Sequence, residues 1–192
     1  MKTVILILIF PVAAGANAPA DVVKWLVTPP AHRDGPTWHG GKKVTHLTPY
    51  HSMKLRVYRD QEYAEELVAA FEYASILFDV PRNLLMAMAY RETVFRPHLV
   101  GPAGERGILQ TGKQAMRSCS EWCGGVETPG GGALCGACWL KKAKNWCGSY
   151  KGAIFAYVSG KCSHNKINVR RAVENRLLLW EILDDMTEIN AN

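Results

Sequence analysis

All six cysteines of this 192-residue chain fall in its C-terminal half, at Cys119, Cys123, Cys135, Cys138, Cys147 and Cys162. Cross-links among so few positions would dictate which segments lie side by side, so what they bond to comes first. The N-terminus addresses that through the compartment. Lys2 supplies a short positive region, Val4 to Phe10 is an unbroken apolar run, and Ala14-Gly15-Ala16 and Ala16-Asn17-Ala18 are overlapping small-residue cleavage patterns. Residues 1–18 read as a secretory signal peptide. The apolar run is well short of the roughly 20 residues that span a bilayer, so no stable membrane anchor is expected. In an exported chain, periplasmic or extracellular, an even set of cysteines is most simply a set of disulfides, although the spacing does not choose the pairing. The alternative is zinc held by Cys119-x3-Cys123 and Cys135-x2-Cys138, which an oxidising compartment disfavours.

Lys plus Arg number 23 against 17 Asp plus Glu, a formal net charge of +6, of which the leader removes only Lys2. Such a balance favours acidic partners: cell-wall polymer, nucleic acid or anionic membrane. The leader and the lack of a basic helix argue against nucleic acid. With 48% hydrophobic and 21% charged residues, the chain has the composition of one compact domain. Residues 19–60 are punctuated by Pro29-Pro30, Gly35-Pro36 and Gly40-Gly41 and read as an extended N-terminal arm, with a short strand over 54–59 and Asp60 as a helix N-cap. His32, His39, His46 and His51 lie in this arm, but no i, i+4 pair or carboxylate cluster completes a metal site, so they read as loop histidines.

Between Gln61 and Phe78 the apolar residues Leu67, Val68, Phe71 and Leu77-Phe78 recur at helical spacing, and Val80-Pro81 interrupts the pattern before a second helix. In that helix Leu85, Met88, Ala89 and Glu92 stand at i, i+3, i+4 and i+7 and share one stripe. A carboxylate thus closes an otherwise apolar, core-facing row, and Pro97 ends the helix near it. Two readings fit: a sheltered catalytic acid, or a partner of Arg91, Arg96 or another arginine that staples the helix end. The stretch Gly101 to Gln110 then holds three glycines, which permit a tight loop against a site. Gln110 adds amide groups suited to the hydroxyl and acetamido groups of a saccharide.

The run Ala89-Tyr90-Arg91-Glu92-Thr93-Val94-Phe95-Arg96-Pro97, followed by Ala103-Gly104-Glu105-Arg106-Gly107-Ile108-Leu109-Gln110, resembles the catalytic core of the soluble lytic transglycosylase (SLT) family of the lysozyme-like superfamily. That family's motifs are a helix ending in Glu-Ser, then x-Phe-x-Pro, then a Gly-Leu-Met-Gln loop. Ala156-Tyr157-Val158-Ser159-Gly160 resembles its third motif, Ala-Tyr-Asn-x-Gly. The resemblance implies a mainly α (α+β lysozyme-like) fold, a single helical catalytic domain over 61–192. Where the family has more helix, this chain has Gly124-Gly125, Gly130-Gly131-Gly132 and five cysteines, which read as a disulfide-rich insertion at about 119–147. Trp122, Trp139 and Trp146 either pack that insertion or stack on sugar. Thr93 replaces the family's Ser but keeps its hydroxyl, whereas Val158 replaces an Asn and removes a polar side chain from the glycan's vicinity.

The activity the resemblance implies is that of a peptidoglycan lytic transglycosylase. Such an enzyme cleaves the bond from N-acetylmuramic acid to N-acetylglucosamine without water and leaves an anhydromuramic acid end. Ordinary glycosidases use two carboxylates. Here Asp79, Glu105, Glu121 and Glu127 are near Glu92 in sequence, but none lies in a motif that marks it as a partner. The family's solution is a single acid/base, matched by Glu92, assisted by the substrate's own acetamido group. By the same analogy Tyr157 would hydrogen-bond Glu92, and Thr93, Gly107, Ile108 and Gln110 would line the glycan groove. Glu105 would orient the loop through Arg106 or Arg91. No metal or cofactor is called for. The implied partner is the peptidoglycan glycan strand, in wall turnover, assembly of an envelope-spanning machine or phage entry. A goose-type lysozyme-like hydrolase and a non-catalytic cell-wall-binding scaffold are the alternatives.

Overall fold

A computed structural model describes residues 37–39, 42–44 and 61–189. The leader, the strand expected over 54–59, the Asp60 cap and His32, His46 and His51 lie outside the described residues. Within the arm, β1 (Thr37–His39) and β2 (Lys42–Val44) pair antiparallel, with Thr37 opposite Val44 and His39 opposite Lys42.

The remainder is helical. Helix α1 (Gln61–Phe78) buries Ala64, Leu67, Val68, Phe71 and Ala74, one stripe at helical spacing, and leaves Glu62, Glu65 and Glu66 in solvent. It ends at Phe78, followed by Asp79 with a left-handed φ of 50°, and Val80, the residue before Pro81, is disfavoured from continuing the helix. Helix α2 (Arg82–Thr93) starts directly after Pro81, whose fixed φ suits a helix entry. Every residue from Asn83 to Tyr90 is buried, so α2 is covered on all sides. Asn83 spends its amide on α2's neighbour: Nδ2 donates to the Leu183 carbonyl (3.2 Å) and to Asp184 Oδ1 (2.8 Å).

The neighbouring elements are α3 (Lys113–Ser118), α4 (Pro129–Cys147), α5 (Tyr150–Ser159) and α6 (Ile167–Ile189). Helix α4 packs on α1 and α5, while α6 packs on α2 and α5. The core therefore runs between α1, α2, α4, α5 and α6, through Phe71, Leu84, Met88, Leu140, Ile154 and Leu179. All six cysteines are oxidised, which overturns zinc ligation. Cys119–Cys138 and Cys123–Cys135 tie the segment after α3 to α4, and Cys147–Cys162 ties the end of α4 to the turn after α5. No described helix is long and apolar enough to cross a membrane.

The stretch read from sequence as an insertion is in large part a core element. Pro129–Cys147 is one 19-residue helix, and Ala133, Ala137, Leu140 and Ala143 are buried in the main core. Its start is set by Thr128, whose Oγ1 accepts from Gly131 N at 3.1 Å, with Pro129 in the first turn. Glycine weakens a helix by about 1 kcal/mol relative to alanine. Burial of the alanine row and two disulfides to Cys135 and Cys138 outweigh that preference here.

Candidate active site

Glu92 lies one residue from the C-terminal end of α2, and the chain beyond it is tightly held. Val94 and Phe95 adopt left-handed φ values of 51° and 61°. A β-branched residue seldom does so, and surrounding structure must over-determine the conformation. It does. Phe95 is fully buried, edge-on to Phe71 (6.4 Å between centroids) and tilted against Tyr90 (5.8 Å), and the Tyr63 hydroxyl donates to its carbonyl at 2.8 Å.

Thr93 joins this helix end to the following loop. Its Oγ1 lies 2.9 Å from the Ile108 carbonyl and 3.3 Å from that of Ala89, and it accepts from Arg96 N at 3.2 Å. The loop itself, from Leu99 to Thr111, folds on short bridges of Arg106 with Val100 and Thr111. Gly107 has a φ of 77°, and a Cβ there would sit 2.1 Å from the Val126 carbonyl oxygen, so only glycine fits. Gln110 turns its amide inward, with Nε2 donating to the carbonyls of Leu99 (2.9 Å) and Gly107 (3.0 Å).

The Glu92 carboxylate meets a cation from the far end of the chain. Arg176 Nη2, on α6, donates to Oε1 at 2.7 Å, and Arg176 Nη1 donates to the Ala172 carbonyl at 2.7 Å. The two side chains are 18% and 10% exposed. Glu92 Oε2 has no partner among the described residues and is not sealed from solvent. That leaves one oxygen anchored and one available to a ligand.

Several expected placements are corrected. Tyr157, on α5, does not give its hydroxyl proton to Glu92: the hydroxyl donates to the Leu109 carbonyl at 2.5 Å. Desolvation, and then the negative charge of nearby Glu92, hold that hydroxyl's pKa well above its ordinary value, with Arg176 acting in the opposite sense. Thr93, Gly107 and Ile108 are buried, so the Thr93 and Ile108 side chains brace the loop from behind. Glu105 does not act through Arg106 or Arg91; its Oε2 accepts from Ala103 N at 3.0 Å within the loop, while Arg106 pairs with Glu127 at 3.0 Å. Asp79 is engaged by Lys141 at 2.8 Å. Glu105 and Gln110 stay partly exposed. Trp122 stacks edge-on against Phe78 at 5.2 Å, whereas Trp146 is 63% exposed. Among the described residues no group of three or more His, Cys, Asp or Glu is placed to hold a metal ion.

Arg176 is the residue that sequence reasoning missed. Its signal was present: Val173, Arg176, Leu179 and Leu183 form a helical row in which one member is a cation, the counterpart of the α2 stripe that ends in Glu92. Nothing in the sequence, however, says that two stripes 84 positions apart face each other.

Residues 69–177 match the family model for the transglycosylase SLT domain, a span that exceeds half the chain and includes Glu92, the glycine loop, Tyr157 and Arg176. No curated protein matches the chain.

Proposed function

We propose, because this chain belongs to the transglycosylase SLT family, that it is a peptidoglycan lytic transglycosylase with Glu92 as its sole acid/base. At family level the function is of the lytic transglycosylase type, directed at peptidoglycan. The observation that carries the finer reading is the state of the Glu92 carboxylate: Oε1 is anchored on Arg176 while Oε2 is unpartnered among the described residues, at the end of a fully covered helix.

From that position protonated Glu92 would donate its proton to the glycosidic oxygen as the bond from the N-acetylmuramic acid C1 breaks. The acetamido oxygen of the same sugar bonds to C1 and stabilises the oxocarbenium-like centre. The Glu92 carboxylate then takes the proton from that sugar's C6 hydroxyl, whose oxygen displaces the acetamido group and closes the anhydro ring. The proton count balances, with no water consumed. Gln110 and Glu105, at the exposed edge of the loop, would contact the glycan, and Tyr157 supports the loop through Leu109. Three disulfides support an oxidising location, periplasmic or extracellular, consistent with the leader pattern.

The test is Glu92→Gln on purified sacculi, with released muropeptides analysed by mass spectrometry. The wild type should release anhydromuramic ends. Glutamine keeps an acceptor for Arg176, so the variant should fold and bind glycan while turnover falls roughly 10²–10⁴-fold or more. Free reducing ends from the wild type would instead assign a goose-type hydrolase, and binding without release would assign a scaffold.

A further inference from the structure

Three other ion pairs in the described structure are of the ordinary solvated kind. Arg82–Glu72, Arg106–Glu127 and Lys141–Asp79 each leave one partner more than 40% exposed. Arg176–Glu92 differs, with both partners below 20%. A buried pair of this type seldom adds net stability, since apolar residues of similar volume would serve the fold as well or better. Its cost is visible here, because Arg176 Nε is also buried and without a partner among the described residues.

The geometry indicates what the pair does. The guanidinium is held at two corners: Nη1 on the Ala172 carbonyl of its own helix, and Nη2 on Glu92 Oε1. A planar fork pinned to the backbone fixes the direction of its remaining N–H groups. Arg176 therefore determines which carboxylate oxygen of Glu92 is tied down. The oxygen left over must serve two proton transfers in succession, one to the leaving oxygen and one from the C6 hydroxyl. A carboxylate free to rotate would lose alignment between them, and misplacement of about 1 Å costs on the order of 10²-fold.

We propose that Arg176 is a positioning residue for Glu92, holding Oε1 so that Oε2 carries both proton transfers. This rests on the acid/base reading of Glu92. Turnover of sacculi by the full chain would be measured for Arg176→Ala, Arg176→Lys and Glu92→Gln, alongside thermal unfolding and glycan binding. Arg176→Ala should lower kcat roughly 10–100-fold with KM little changed. Lysine should recover part of it, since an ammonium reaches the carboxylate but cannot hold its plane. Free guanidinium ion, at concentrations too low to denature, should restore activity to the alanine variant and not to Glu92→Gln. Unchanged kcat in Arg176→Ala, with Glu92→Gln inactive, overturns the positioning role and spares the function. Losses that track unfolding temperature or KM, with no recovery by lysine or guanidinium, overturn it too. If Arg176→Ala does not fold, the lysine variant alone decides, through its kcat at unchanged KM. A fully active Glu92→Gln overturns the function beneath it.

Discussion

At the residue scale, three side chains show how little of a site needs to touch a ligand. Thr93, Tyr157 and Arg176 spend their polar groups on the Ile108 carbonyl, the Leu109 carbonyl and the Glu92 carboxylate respectively. Each ties one element to another, and the shared product is a fixed Glu92 beside a fixed loop. Tyr157 also makes a pH prediction whose sign is determined. Its folded-state pKa is raised, so at high pH the unfolded chain has lost a proton that the native state still holds, and stability falls as pH rises. The stabilising effect is complete below the ordinary tyrosine value of about 10 and is lost as pH climbs from there toward the folded value. Tyr150, raised by the same desolvation, adds to the trend. Urea unfolding between neutral and strongly alkaline pH should show a steep alkaline decline in the wild type and a shallower one in Tyr157→Phe. Parallel declines would contradict this. The phenylalanine variant should also lose about 1–3 kcal/mol at neutral pH, because the Leu109 carbonyl is left without its donor.

At the element scale, the loop and α4 are fitted to each other more closely than either is fitted to solvent. A Cβ on Gly136 would lie 2.2 Å from Leu109 Cδ1 and 2.9 Å from its Cβ, so the bare face of α4 is what admits the loop. Alanine is the better helix former by about 1 kcal/mol, but overpacking costs roughly 1–3 kcal/mol. Here the clash should prevail. Gly136→Ala should lower the unfolding temperature and also reduce turnover, since Leu109 supplies the acceptor for Tyr157. The same substitution at Gly130, where nothing lies within 4 Å, should leave activity intact and stability equal or higher. Equal behaviour of the two variants, by calorimetry and sacculus assay, would show that helix propensity and not the loop contact governs α4.

At the scale of the whole molecule, the disulfides fasten the one helix whose sequence is poorest in intrinsic helicity. The bridges span separations of 19, 12 and 15 residues and converge on α4 at Cys135, Cys138 and Cys147. By loop-closure entropy each is worth about 3 kcal/mol, so together they rival the roughly 5–15 kcal/mol of net stability usual for a domain. Reduction should therefore melt α4 and, with it, the surface against which α1 and α5 pack. Thermal scans with and without reductant, followed by circular dichroism, should show a loss of helix well below the oxidised unfolding temperature. A reduced protein with an unchanged transition would mean that the core of α1, α2 and α6 is self-sufficient.

Local features of the chain were legible because their causes are local. The periodicity of α1, the proline between α1 and α2, the apolar stripe ending in Glu92 and the oxidised state of the six cysteines each follow from spacing or from the compartment the leader pattern implies. Helix α4 was obscured because glycine reads as loop in isolation, and only burial against Ile108 and Leu109 turns it into an advantage. The arginine on Glu92 was left open among several candidates, since burial of a charge is decided by what faces it across the core. Tyr157 was placed on Glu92 by analogy, but its hydroxyl donates to the Leu109 carbonyl. By itself the sequence determined which residues could be acid, cap, stripe or cross-link. The tertiary structure alone decided which of them meet, because contacts between α2, α5 and α6 depend on packing that no short-range pattern encodes.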